Sequence, residues 1–242
     1  IFSAIQAGRQ GILFTVASII TVLSAGIIAG RYLKVDKRTS FLISAGTAIC
    51  GGSAIAALSP VIKAEEKQIS VAMGVIFILN SVALFIFPVI GHGLHLSQTQ
   101  FGLWCAIAIH DTSSVVVAAS HYGAQALQVA TTVKLARALW IIPLSLITAF
   151  LFKTGSKQVK LPYFIGLFIL AMLINTYVPA IKIIVPFITA VAKIGLTLTL
   201  FLIGSSLSFK VLRSVGIVPL FQGVMLWVLI SAVSLWAVIS LA

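Results

Sequence analysis

Residues 10–30, 39–62, 68–110, 112–133, 138–152, 161–181 and 214–242 contain no Asp, Glu, Lys or Arg. Water cannot wet runs of that length. A helix crosses about 30 Å of hydrocarbon with about 20 apolar residues, so each run is long enough, or nearly so, to lie in a bilayer. Only 8% of the 242 residues are charged and 60% are apolar, whereas a soluble domain carries about 25% charged residues to hydrate its surface. A soluble enzyme, a disordered chain and a repeat solenoid are excluded. Membrane strands would alternate apolar and polar residues over about ten positions. Ile165–Leu173 and Val224–Leu235 show no such alternation. The fold class is therefore all-α, a polytopic membrane protein whose partner is the lipid bilayer.

The stretch 183–209 is interrupted only by Lys193, and 68–110 divides near Gly91-His92-Gly93. The pattern predicts about eight crossing elements in a single transmembrane domain spanning 1–242. They fall at about 11–32, 41–58, 68–91, 101–120, 129–152, 162–178, 183–208 and 215–240. The sixteen Lys and Arg against four Asp and Glu cluster at span ends rather than in a basic-aromatic stripe. They read as topological cations, not as a nucleic-acid surface. With eight crossings the loops 31–40, 91–100, 153–161 and 209–214 share one side, expected to be cytoplasmic. Tyr32, Tyr122, Tyr163 and Tyr177 lie at expected span ends, where amphipathic rings suit the interface. The chain begins with Ile1 rather than Met and shows no signal peptide, and it reads as part of a longer one.

Two crossings are interrupted. In 41–58 the cluster is Cys50-Gly51-Gly52-Ser53; in 101–120 it is His110-Asp111-Thr112-Ser113-Ser114. Glycine costs about 1 kcal/mol relative to Ala inside a helix, and an ionisable group at bilayer centre about 3 kcal/mol or more. Such clusters are tolerated only facing protein or water. Ala48-Ile49 precedes one and Ala108-Ile109 the other, with Ser53 and Ser113 at matching offsets. Paired interrupted spans of this kind point to a discontinuous-helix transporter site. A broken helix exposes N–H groups carrying about +0.5 charge at the start of its second half. Gly51, Gly52 and Ser53 at one break, and Thr112, Ser113 and Ser114 at the other, would suit a small oxyanion. The alternative is close helix packing at Gly51-Gly52, with the hydroxyls bonded back to the preceding turn.

Asp111 is the only carboxylate outside the loops. With His110 beside it, the pair is expected to carry the coupling ion or to gate. Lys134 and Arg137 lie one turn apart on one helix face and are the expected charge-balancing partners of Asp111; a fixed structural ion pair is the alternative. Cys50 and Cys105 read as buried apolar residues. His92 and His95 lack a companion carboxylate or thiol, so neither metal nor cofactor is expected. Asn80 reads as a helix–helix hydrogen bond, and Pro88 and Pro143 as kinks. No P-loop, nucleophile elbow or HExxH motif occurs, so neither an enzyme nor an ATP-driven pump is expected.

The run Ala45-Gly46-Thr47-Ala48-Ile49-Cys50-Gly51-Gly52-Ser53-Ala54-Ile55-Ala56-Ala57, followed by Ser59-Pro60-Val61-Ile62-Lys63-Ala64-Glu65, resembles the sulfate-exporter family of bacterial inner-membrane proteins. His110-Asp111-Thr112-Ser113-Ser114-Val115-Val116, Lys134-Leu135-Ala136-Arg137 and Ile203-Gly204-Ser205-Ser206-Leu207 are similar to further signatures of that family. The resemblance covers essentially the whole chain. It implies further spans before Ile1, and a fold grouped with cation antiporters and bile-acid transporters, with inverted repeats and two crossed, interrupted helices. Family members often carry Glu where this chain has Asp111. The resulting expectation is a multi-pass inner-membrane secondary transporter of a small anion, sulfate export included, coupled to H⁺ or Na⁺, with a homodimer as an open option. The alternatives are a cation/proton antiporter built on Asp111 and a non-transporting receptor or assembly subunit.

Overall fold

A computed structural model describes residues 2–152, 184–206 and 215–240, with isolated residues between 167 and 181. Among the described residues all regular structure is helical. The helices are α1 (Phe2–Tyr32), α2 (Lys37–Ala48), α3 (Gly52–Leu58), α4 (Glu66–Gly93), α5 (Gln98–Ala108), α6 (Thr112–Tyr122), α7 (Ala124–Ala138), α8 (Ile141–Leu151), α9 (Val185–Ser206) and α10 (Ile217–Ser240). Among the described residues four stretches are long and apolar enough to cross a membrane: Thr15–Tyr32, Glu66–Gly93, Ala124–Leu151 and Ile217–Ser240. The crossing expected at 162–178 lies largely outside the described residues. The basic loops at 153–161 and 209–214 lie wholly outside them.

Both interrupted elements break where the sequence places the breaks. Helix α2 stops at Ala48 and α3 starts at Gly52; α5 stops at Ala108 and α6 starts at Thr112. Neither pair continues across the membrane, and this corrects the expected crossings at 41–58 and 101–120. Asp36, the N-cap of α2, accepts a hydrogen bond from Gln68 Nε2 at 2.9 Å, so the start of α4 lies beside the start of α2. The chain has therefore turned back at the break. At the second break, Gln98 Oε1 in the first turn of α5 accepts from the backbone N–H of Gln125 at 3.0 Å, just past the end of α6. Tyr122 at the end of α6 donates its hydroxyl to Leu96 O at 2.6 Å and stacks on Phe101 at 3.7 Å. Each interrupted element is a re-entrant hairpin. At about 1.5 Å per residue, the 12-residue α2 and 11-residue α5 reach about 16–18 Å, roughly the half-thickness of the hydrocarbon.

The hairpins enter from opposite faces. Helix α4 begins beside Asp36 and ends where Gly91 packs on Phe101 and Tyr122. The base of hairpin one and the end of α1 therefore share one face, and the base of hairpin two lies on the other. Helices α7 and α8 return: Phe152 lies 5.5 Å from Phe41 and beneath the Lys37 ammonium. The order of a span followed by a hairpin thus occurs twice with opposite sense, as α1 with α2–α3 and as α4 with α5–α6. The first limbs are sheathed in protein, since every residue from Thr39 to Ala48 is buried. Helix α10 braces both hairpins, with Gln222 Nε2 donating to Ser40 Oγ at 2.8 Å and Ser231 O accepting from Trp104 Nε1 at 3.0 Å.

This folding redistributes the charges. Arg31, Lys34, Lys37, Arg38, Lys63 and Lys67 gather on the face of hairpin one, while 91–100 and 119–127, on the face of hairpin two, hold no Lys, Arg, Asp or Glu. Loop 91–100 therefore faces away from 31–40, contrary to the eight-crossing expectation. Single cysteines read by a membrane-impermeant maleimide test this. Leu94→Cys and His121→Cys are expected to label from one side, and Lys34→Cys and Lys63→Cys from the other. Straight crossings would instead group position 94 with 34 and position 121 with 63.

Candidate functional site

The two hairpin tips meet. Gly51 at the first tip has φ +62°, and a Cβ there would stand 3.3 Å from the carbonyl carbon and oxygen of His110 at the second. A left-handed conformation next to foreign backbone is a position that glycine suits and a side chain strains. The first limbs end with their carbonyls at this junction. Lys134, on α7, donates from Nζ to Ile109 O at 2.7 Å and to Ile49 O at 3.2 Å. Arg137, one turn on, donates from Nη2 to Ala48 O at 2.6 Å and from Nη1 to Ser18 Oγ at 3.2 Å. Both side chains are fully enclosed, at 1% exposure. The two cations expected to balance Asp111 instead lie on the negative ends of α2 and α5, where a helix favours positive charge. Among the described residues Asp111 makes no ion pair.

Asp111 serves as the N-cap of α6, accepting from Ser114 N at 3.1 Å and from Ser114 Oγ at 3.4 Å. Asn80, midway along α4, accepts at Oδ1 from the backbone N–H groups of His110 at 3.0 Å and Asp111 at 3.2 Å. It holds the unwound tip rather than joining two helices. The His110 imidazole is completely buried, and among the described residues neither ring nitrogen has a hydrogen-bond partner. The His110 ring is thus enclosed while the neighbouring Asp111 is partly exposed.

The structure brings the two expected triads to the same junction. Gly51, Gly52 and Ser53 open the second limb of hairpin one, and Thr112, Ser113 and Ser114 that of hairpin two. Gly52, Ser53, Thr112 and Ser113 are partly exposed, whereas Gly51 and Ser114 are buried. A separate groove of about 590 Å³ opens on the basic face between the base of hairpin one and α10, lined by Asp36, Thr39, Glu65, Gln68, Val215 and Pro219 among others. Among the described residues no group of three or more His, Cys, Asp or Glu is placed to hold a metal ion.

Sequence reasoning passed over Ser18 and mistook the partner of Asn80. Asn80 did carry a signal, as the one amide at the centre of an otherwise apolar span. Ser18 carried none, because its role depends on where Arg137 arrives. The geometry sets an order of stabilities that thermal unfolding can check. Asn caps helices about as well as Asp, so Asp111→Asn is expected to keep the wild-type melting temperature, while Asp111→Ala loses about 1 kcal/mol. Lys134→Ala is expected to cost about 1–3 kcal/mol for each carbonyl left without a donor.

The family model described as conserved hypothetical protein 698 matches residues 1–223. Among curated relatives, a UPF0324 membrane protein of Bacteroides thetaiotaomicron is 56% identical over 234 residues, covering 95% of this chain and 70% of the relative. A UPF0324 membrane protein of Porphyromonas gingivalis is 55% identical over 239 residues, 96% of this chain and 72% of the relative. One from Vibrio parahaemolyticus is 50% identical over 242 residues, 98% and 78% respectively. No solved structure matches the chain.

Proposed function

The chain belongs to the conserved hypothetical protein 698 family, whose curated relatives are UPF0324 membrane proteins, and on that premise we propose that it is a secondary active transporter of a small anion. The observation that carries the reading is the charge at the junction. Two enclosed cations, Lys134 and Arg137, bonded to main-chain carbonyls rather than to a carboxylate, share the junction with a single carboxylate, Asp111, halfway along the spanning helices. The helix-end carbonyls offset the enclosed cations in part, and the junction still carries one formal positive charge more than negative. A bound anion balances it. The partly exposed hydroxyls of Ser53, Thr112 and Ser113 add donors suited to an oxyanion such as sulfate.

The opposed hairpins support alternating access. Each reaches the junction from its own face, so withdrawal of one opens a path from that side while the other stays closed. The doubled order of span and hairpin is what an inverted repeat produces, in keeping with the resemblance to sulfate exporters and to the antiporter and bile-acid-transporter group. The basic face is cytoplasmic, the membrane is the bacterial inner membrane, and the coupling ion is H⁺ or Na⁺, with His110 and Asp111 as its carriers. A cation/proton antiporter is the second reading, favoured by the partly exposed Asp111 carboxylate.

Reconstitution into liposomes with a panel of labelled small anions separates these readings. Wild type is expected to accumulate at least one anion against its gradient. Lys134→Ala should lower uptake ten-fold or more, and Asp111→Asn should uncouple it from the ion gradient. Cation exchange that survives Lys134→Ala but not Asp111→Asn would favour the antiporter. Equal anion uptake by all three proteins would overturn the site assignment, and absence of any flux under any gradient would favour a receptor or assembly role.

A further inference from the structure

The carbonyls of Ile49 and Ile109 end α2 and α5, and both point at one ammonium, Lys134 Nζ, at 3.2 and 2.7 Å. Ends of interrupted helices, with their negative dipoles and unspent carbonyl oxygens, are where discontinuous-helix transporters coordinate a monovalent cation. Here a side chain of the protein occupies that position. Arg137 donates to the adjoining Ala48 carbonyl at 2.6 Å, so a second mobile cation would meet positive charge from both neighbours. Lys134 reaches the position from α7, a helix outside both hairpins.

We infer that the Lys134 ammonium is a tethered replacement for a soluble monovalent cation, that the wild-type junction binds no Na⁺, and that removing the side chain uncovers a monovalent-cation site formed by the Ile49 and Ile109 carbonyls. The consequence for coupling rests on the transporter reading above: of the two coupling ions, H⁺ is left. The inference about the site itself does not need transport to be tested.

The test is thermal unfolding of the purified protein in detergent at constant ionic strength, with choline replaced stepwise by Na⁺, K⁺ or methylammonium. Wild type and Lys134→Arg are expected to show the same melting temperature in every salt. Lys134→Ala is expected to melt lower in choline and to recover at least half of the loss, saturably, in methylammonium or Na⁺. Lys134→Met, which fills the space without charge, should melt low in all salts. A saturable rise of the wild-type melting temperature with Na⁺ overturns the inference, as does a folded Lys134→Ala that ignores every cation. Should Lys134→Ala not fold, the wild-type titration still decides, since indifference to Na⁺ supports a filled site and a saturable response refutes it. Failed anion flux with these thermal results intact would count against the transporter reading alone.

Discussion

A backbone that unwinds in the middle of a bilayer must find every lost hydrogen bond inside the protein, because lipid supplies none. Four side chains at the junction meet much of that demand. Lys134 and Arg137 take the carbonyls of Ala48, Ile49 and Ile109; Asn80 takes the N–H groups of His110 and Asp111; Asp111 takes that of Ser114. Cations lie at the helix ends that are negative and a carboxylate at a helix end that is positive. These polar residues are costly in lipid when alone. Here each offsets a cost created by the break, so the break and the charges stabilise one another.

The positions of the breaks were legible in the sequence; the direction of the chain beyond them was not. Gly51-Gly52 and His110-Asp111 interrupt otherwise apolar runs and mark the stops at Ala48 and Ala108. An apolar run of about twenty residues, however, fits either one straight span or two limbs of half its length. Hydropathy measures the length and says nothing of the turn. One signal could have separated the cases. With two hairpins, Arg31, Lys34, Lys37, Arg38, Lys63 and Lys67 all fall on one face, opposite an uncharged one, which is a cleaner charge bias than straight crossings give. Lys134 and Arg137 were recognised as one helix face, but their partners are main-chain carbonyls and the Ser18 hydroxyl. A search for complementary side-chain charge cannot see those.

The short internal likeness acquires a physical meaning in the fold. Ala48-Ile49 and Ala108-Ile109 each supply the last helical residue and the C-cap of a first limb, and both Ile carbonyls bind the same ammonium. Ser53 and Ser113 each stand second in a second limb. Yet the two tips are not chemically equal. The first is Gly51, conformationally free and without a side chain; the second is Asp111, which caps its own helix and carries charge. The asymmetry places the only carboxylate of the junction on hairpin two, the hairpin of the uncharged face.

A single ammonium shared between two hairpins also constrains how they move. Separating the tips must break the bond to Ile49 or the bond to Ile109, and the carbonyl left behind is then buried without a donor unless water or a ligand reaches it. A buried unsatisfied carbonyl costs about 1–3 kcal/mol, which is comparable to the gap between states that a bound ligand can overcome. At their bases the hairpins are pinned by polar contacts of Asp36 with Gln68 and of Gln98 with α7. Each is therefore anchored at its own face and held at the centre by a bond it shares with the other. In the transporter proposed above, releasing one tip while Lys134 stays on the other would open one side and keep the opposite side closed, whereas releasing both would leave two carbonyls unpaired at once. In that reading the penalty for a doubly open state follows from the arrangement of donors.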